Sequence, residues 1–190
     1  MQLSGAVGNP IGASALQLTI GAGLLLALAA AAGTLGAFDA LGDAEAWHLW
    51  GGVGSAAYIT AGILLFPRLG ALVAVGLFIA GQMGASLLLD GFGWLGMERE
   101  PVDAAAVVGA VAVVLATAMI VRAQAGGDVL GDALRNRAGW VVVGLLAGAV
   151  LPVQGAVNAQ LRGDIDAPIT VGVFSFVVLL IVGVALIQIA

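Results

Sequence analysis

Six long apolar segments divide the sequence, and charged residues fall only between these segments or at their edges. A bilayer core about 30 Å thick needs roughly 20 apolar residues in a helix that rises 1.5 Å per residue, and each segment has about that length. An ionised side chain at mid-bilayer costs at least about 2.5 kcal/mol, so the exclusion of charge indicates a membrane environment. The predicted spans are 11–33, 48–66, 69–89, 102–121, 139–160 and 167–189.

The composition agrees with this division. The chain is 62% hydrophobic and 9% charged, whereas a soluble domain is about 45–50% apolar and about 25% charged. The 30 glycines are typical of helices that approach each other closely in lipid. We therefore predict an all-α polytopic membrane protein with about six transmembrane helices.

Several function classes are excluded by what the sequence lacks. It has no cysteine, and its one histidine, His48, lies at a span edge and is interpreted as an interfacial residue. The glycine-rich stretches have no phosphate-loop lysine, and no basic stretch interleaved with aromatics suggests nucleic-acid binding. No pair of carboxylates lies within a span. We expect no enzyme activity, no cofactor and no metal.

The prolines indicate where the predicted spans begin, and the arginines indicate how the chain is oriented in the membrane. Pro152 lies inside a span, and the other four prolines are placed at span starts, where a missing N–H costs least; these are Pro10, Pro67, Pro101 and Pro168. Four of the six arginines fall on one side of six alternating spans, namely Arg68, Arg122, Arg135 and Arg137. The positive-inside rule then places residues 124–138 and both termini of the chain in the cytoplasm.

The start of the chain, MQLSGAVGNPIGASALQL, is echoed by AQLRGDIDAPITVGVFSF from Ala159 onward. A shift of 158 positions aligns these pairs without a gap: Gln2 with Gln160, Leu3 with Leu161, Gly5 with Gly163, Pro10 with Pro168, and Ile11 with Ile169. Chance is the alternative, but Gln and Pro are uncommon in apolar sequence. Five predicted spans separate the copies, and an odd number makes two repeats inverted in the membrane.

This echo predicts part of an inverted five-plus-five helix repeat. Residues 1–123 would supply helices 2–5 of the first repeat, 124–138 a linker, and 139–190 the first two helices of the second. The first helix and the remaining helices of the second repeat are expected outside this sequence. A homodimer or those missing helices would then complete the protein.

The sequence also resembles a known family. The matching stretches include PRLGA, the AGQ of 80–82, the DGFG of 90–93 and QGAVNAQLR from Gln154, and they resemble the YdcZ-like branch of the drug/metabolite transporter superfamily. The resemblance implies an integral protein of the bacterial inner membrane that moves a small solute, a metabolite or a drug-like molecule, by alternating access. The alternative is a non-transporting membrane scaffold, an assembly subunit or a truncated inactive transporter fragment.

Polar side chains inside the spans mark the candidate solute site. Gln82, Ser86 and Asp90 are spaced i, i+4, i+8 on one helix face, and Gln154 and Asn158 repeat the i, i+4 spacing after Pro152. We expect Gln82, Gln154 and Asn158 to face a shared polar cavity near the midplane, with Ser86 and Tyr58 at its margin. The alternative is that the amides only hydrogen-bond across helix interfaces and that Tyr58 only packs.

Overall fold

A computed structural model of the chain describes residues 10–124 and 130–189, and those residues contain helices and no strand. The described α-helices, numbered in chain order, are α1 Pro10–Ala31, α2 Gly51–Leu69, α3 Ala71–Phe92, α4 Ala104–Gln124, α5 Leu130–Ile165 and α6 Pro168–Ile189. Short 3-10 helices occupy Leu35–Gly42, Ala46–Trp50 and Trp94–Gly96. The all-α prediction is confirmed.

Several of these helices are long and apolar enough to cross a membrane. Within the described residues, four stretches meet this condition: Ala46–Leu69, Ala71–Phe92, Ala104–Ala123 and Ala138–Ile165. A fifth is formed if Leu16–Ala31 and Leu35–Gly42, which are bent by 103°, count as one span. Pro168–Gly183 is a shorter apolar helix. The polytopic membrane architecture is confirmed, and the count of six spans stays a prediction.

The position predicted for Pro67 was wrong. Pro67 lies inside α2, in its last turn, and does not open the next span. The chain reverses instead at Gly70, whose φ of 81° is a backbone conformation that other residues rarely adopt. Near this end of the helix, Arg68 Nη1 donates a hydrogen bond to the carbonyl oxygen of Leu64 at 2.6 Å.

The fifth helix begins earlier than its predicted span. α5 starts at Leu130, inside the predicted linker 124–138, and runs without interruption to Ile165. Leucine, alanine and arginine in its first turns are good helix formers, so the polar composition of this stretch does not prevent a helix. Residues 125–129 of the predicted linker lie outside the described residues. Pro152 lies inside α5, as predicted.

The chain forms two compact units. The first contains α1, both 3-10 helices between Leu35 and Trp50, the start of α2 up to Ala56, the end of α5 from Val157, and α6. The second consists of Ala57–Ala156 and therefore contains most of α2, all of α3 and α4, and the first part of α5.

In the first unit, α1 and α6 pack against each other and run antiparallel. A Cβ on Gly21 would lie 3.2 Å from the ring of Phe176, and a Cβ on Gly172 would lie 3.8 Å from Leu25. The residue numbers rise along α1 while they fall along α6, which fixes the antiparallel direction. These two helices begin at Pro10 and Pro168, which are an aligned pair of the sequence echo.

The second unit is packed around a close contact between α3 and α5. A Cβ on Gly148 would collide with the carbonyl oxygen of Phe78, and a Cβ on Gly81 would collide with that of Leu145. Glycine at both positions lets the two backbones touch, which is how membrane helices gain packing contacts. α4 contributes little to this core, because only 6% of its most apolar 18-residue stretch is buried.

Candidate functional site

The predicted polar stripe lies on α3. Gln82, Ser86 and Asp90 are all half-buried, and Gln82 is near the middle of the helix. The Ser86 hydroxyl donates to Asp90 Oδ2 at 3.3 Å, so these two side chains satisfy each other near the C-terminal end of the helix. Gln82 is the member of the stripe at the depth expected for a solute contact.

Tyr58 lies on α2 against the core of the second unit. Its ring centroid is 4.8 Å from that of Phe78, with the two planes tilted by 51°. It is half-buried and packs beside the buried residues Ala61 and Leu65 of the same cluster. The ring contact is the packing arrangement weighed as the alternative for Tyr58.

Gln154 lies on α5, two residues after Pro152, and is half-buried. Pro152 has no N–H to donate to the carbonyl of Gly148, four residues earlier. Gly148 also faces the backbone of α3 at Phe78. This part of α5 therefore combines a missing backbone hydrogen bond with a close contact to the backbone of α3.

Asn158 belongs to the first unit and joins three helices there. Its Oδ1 accepts a hydrogen bond from the Ser175 hydroxyl of α6 at 3.0 Å, and a Cβ on Gly51 of α2 would collide with the same oxygen. A Cβ on Gly52 would collide with the Ser175 carbonyl oxygen. The side-chain oxygen of Asn158 thus accepts a hydrogen bond across a helix interface.

The five predicted residues are divided between the two units. Tyr58, Gln82, Ser86 and Gln154 lie in the unit 57–156, and Asn158 lies in the other unit. Within the unit 57–156, Ser86 bonds to Asp90 and Tyr58 contacts Phe78. The shared cavity of the three amides stays a prediction.

A cavity of about 320 Å³ lies within the second unit, on α3, α4 and α5. Its walls are almost entirely apolar, and its lining consists of Leu77, Ala80, Val114, Thr117, Ala118, Val121, Val141 and Leu145. A second apolar cavity of about 240 Å³ shares Ala80 and Val114 with it. None of the predicted site residues is part of either lining. These cavities offer room for an apolar group rather than for a polar one.

Thr117 is the polar residue of the larger cavity. It is buried, and its hydroxyl donates to the carbonyl oxygen of Gly76 at 3.1 Å. A Cβ on Gly76 would lie 3.2 Å from Thr117, so the glycine allows the approach. Sequence reasoning missed this residue, although one threonine in an otherwise apolar stretch of α4 was a usable signal.

His48 is buried within the protein and paired, while its interpretation as an interfacial residue stays a prediction. Its Nδ1 lies 2.5 Å from Asp164 Oδ2, and the two side chains are 8% and 32% exposed. The ring of Trp47 packs edge-on to the imidazole, with 4.0 Å between the centroids. Trp47 Nε1 in turn donates to Glu45 Oε2 at 2.6 Å. The sequence contained no local signal for this pair, because its members are 116 residues apart.

The contacts of the first unit also bear on membrane sidedness. The Thr170 hydroxyl donates to the Thr34 carbonyl oxygen at 3.0 Å, and His48 meets Asp164. The stretch 34–48 and the turn between α5 and α6 therefore lie at the same end of the unit. Four predicted spans separate them, and an even number places both on one side of the membrane, as the contacts require.

Comparison with known proteins identifies the family. The model of the family described as "Putative inner membrane exporter, YdcZ" matches residues 1–119 and 139–190, which is most of the chain. No curated protein and no solved structure matches the chain significantly. The family is a transporter family and not an enzyme class, and it supports a transporter-like role in moving a small solute across the bilayer. With its long apolar helices and this match, the chain belongs to the YdcZ family of inner-membrane exporters within the drug/metabolite transporter superfamily.

Proposed function

We propose that this protein exports a small neutral or zwitterionic solute by alternating access between two inverted repeats. Gln82, Gln154 and Asn158 provide the polar contacts to the solute, with Ser86 and Tyr58 at the margin of the site. The family assignment supports export across the inner membrane, and the arrangement of the helices supports the mode of action.

The observation that carries the proposal is the antiparallel pairing of α1 and α6. These helices begin at Pro10 and Pro168, an aligned pair of the echo, so they hold equivalent places in the proposed repeats. Gly21 contacts Phe176. The shift of 158 relates Gly21 to Leu179 and Phe176 to Leu18, so the equivalent contact in the proposed symmetry would join Leu18 and Leu179. The centre of this exchange falls at Thr19–Ile20, near the middle of α1. Inverted repeats require such an exchange about the bilayer midplane.

The family match supports the same division of the chain. It falls in two pieces separated by residues 120–138, which include the predicted linker. Repeats joined by a variable connection would produce this interruption. We therefore keep 1–123 and 139–190 as parts of two membrane repeats.

The solute class follows from the chemistry of the spans. The candidate side chains are amides and hydroxyls, which donate and accept hydrogen bonds without a charge. No carboxylate lies in the middle of a span to hold a cationic solute. The apolar cavity of about 320 Å³ is lined on α3 by Leu77 and Ala80 and not by the polar stripe. A small neutral or zwitterionic solute that makes several hydrogen bonds fits the amides and hydroxyls best.

Thermal stabilisation across a panel of neutral and zwitterionic metabolites tests the site. A ligand present at 100 times its dissociation constant adds about 2.7 kcal/mol of stability to the folded protein, which shifts the melting temperature measurably. The Gln82→Leu variant is expected to lose the stabilisation. Gln17→Leu is the matched control, because Gln17 lies on α1 and is exposed.

The leucine variants distinguish a solute site from amides that only bond across helix interfaces. Loss of the ligand response in Gln82→Leu and in Asn158→Leu but not in Gln17→Leu, with unchanged stability in the absence of ligand, supports the proposal. A normal response in both Gln82→Leu and Asn158→Leu would mean that the amides only hold helices together, and the site would then lie elsewhere.

A further inference from the structure

The two apolar cavities on α3, α4 and α5 form one continuous groove in the second unit. The cavity of about 320 Å³ and the cavity of about 240 Å³ share Ala80 and Val114. Val111 and Leu115 line the smaller one and are 53% and 59% exposed, so the groove opens on the outer surface of α4. The Thr117 hydroxyl already donates to a backbone carbonyl. The groove therefore offers contacts to an apolar chain.

The length of the groove matches one leaflet of a bilayer. Its lining extends along α4 from Ala110 to Val121, which is about 16 Å at 1.5 Å per residue. Half of a hydrocarbon core about 30 Å thick is about 15 Å. Val121 lies close to the end of the apolar stretch Ala104–Ala123, and Ala110 lies just beyond its middle. The groove therefore runs from the membrane surface to about the midplane, as an extended lipid acyl chain does.

An arginine continues the lining at the surface end of the groove. Ala110, Val114 and Ala118 belong to the lining, and Arg122 follows at the same spacing of four residues. Residues at this spacing lie on one face of a helix. Arg122 is exposed and lies in the last turn of α4. A cation is therefore located where the apolar groove meets the headgroup region.

A second arginine lies at the same end, on α2. Arg68 Cζ is 4.3 Å from the centroid of the Trp140 ring, and Trp140 directly precedes Val141 of the groove lining. One of the five N–H donors of Arg68 is used in the bond to the Leu64 carbonyl oxygen. Among the described side chains, no carboxylate lies within 4 Å of Arg68 or Arg122. Both guanidinium groups therefore keep donors for an anion.

Negative charge is concentrated at the opposite end of these helices. The acidic side chains described in this unit lie at the end of α3 or between it and α4, and they are Asp90, Glu98, Glu100 and Asp103. An anionic group is therefore attracted to the end with Arg68 and Arg122 and repelled from the other end.

We propose that this groove binds one acyl chain of an anionic phospholipid, whose phosphate is held by Arg68 and Arg122. Basic pockets between membrane helices are suited to anionic lipid headgroups, and guanidinium groups bind phosphate through paired N–H donors. Free phosphate lacks the apolar contacts, and a zwitterionic headgroup brings a cation towards the two arginines. The groove contains none of the candidate solute residues, so the inference does not depend on export.

Native mass spectrometry of the purified protein in detergent measures the headgroup contact. Phosphatidylglycerol is compared with phosphatidylcholine of the same acyl chains, and we expect tighter, saturable binding of phosphatidylglycerol. Arg68→Gln and Arg122→Gln should each weaken it about fivefold, which corresponds to about 1 kcal/mol per basic residue. Arg99→Gln is the matched control, because Arg99 is exposed and lies among the acidic residues at the other end. Phosphatidylcholine bound as tightly as phosphatidylglycerol, or equal affinity of all three arginine variants, would overturn the proposal.

A larger side chain in the groove tests the position of the acyl chain. Ala118 lines the groove and is exposed, so Ala118→Leu fills space without disturbing buried packing. We expect about fifteenfold weaker binding of phosphatidylglycerol, which corresponds to two displaced methylene groups at about 0.8 kcal/mol each. Ala116→Leu is the matched control, because Ala116 is exposed on another face of α4 and is not part of the lining. Equal affinity of the two leucine variants would exclude the acyl chain from the groove.

Discussion

Gly148→Ala tests the close backbone contact between α3 and α5. The added Cβ would collide with the carbonyl oxygen of Phe78, and a backbone carbonyl cannot rotate away as a side chain can. α3 and α5 would have to move apart, which would loosen the neighbouring contact of Gly144 with Leu77, where a Cβ would already lie at 3.0 Å. Overpacking of this kind typically costs about 1–3 kcal/mol.

Gly155→Ala is the matched control for this substitution. It lies on the same helix α5, and a Cβ there meets nothing within 4 Å. Alanine is favoured over glycine in a helix interior by up to about 1 kcal/mol, so this variant should be slightly stabilised. The same preference applies at Gly148 and cancels in the comparison, so the two variants should differ by about 1–3 kcal/mol in the free energy of unfolding.

The assay is unfolding of the purified protein in mixed micelles with increasing sodium dodecyl sulphate, followed by circular dichroism. The predicted order of stability is Gly155→Ala, then the natural sequence, then Gly148→Ala. Equal stability of the two alanine variants would refute the close contact between α3 and α5, because the substitution is chemically identical at both positions.

Two other predictions concern a buried hydroxyl and the sidedness of the chain. Thr117→Val removes the hydrogen bond to the Gly76 carbonyl oxygen at nearly constant volume and should lower the free energy of unfolding by about 0.5–1.5 kcal/mol in the same titration; an unchanged midpoint would contradict this. Single cysteines at Gly42 and Gly163 should react with an impermeant maleimide from the same side of the membrane, and a cysteine at Gly5 from the opposite side. Labelling of Gly5 and Gly163 from one side would refute the inverted repeat.

The helices were predictable from local sequence because their cause is local. Each of the six apolar segments coincides with a described helix to within a few residues, apart from the early start of α5 at Leu130. Bilayer thickness and the cost of buried charge fix these lengths whatever the tertiary contacts are. Pro67 was misplaced because a proline between two apolar segments is expected to open the second one, whereas the chain turns three residues later at Gly70, which has a positive φ.

The polar contacts were less predictable because they depend on residues far apart in the chain. Asn158 was selected for its spacing from Gln154, but Ser175, which bonds to it, is a single serine among apolar residues. His48 was interpreted from its neighbours Trp47 and Trp50 as interfacial, and its burial depends on Asp164. Spacing along one helix shows which residues share a face but not which face meets a partner.

Solute flux through the purified protein in proteoliposomes tests the central claim most directly. The account predicts that the metabolite giving the largest thermal stabilisation crosses the bilayer at a saturable rate, that Gln17→Leu transports normally, and that Gln82→Leu loses the flux while remaining folded and inserted. Absence of flux from folded protein that still binds the metabolite would contradict export by this chain and favour a non-transporting membrane component.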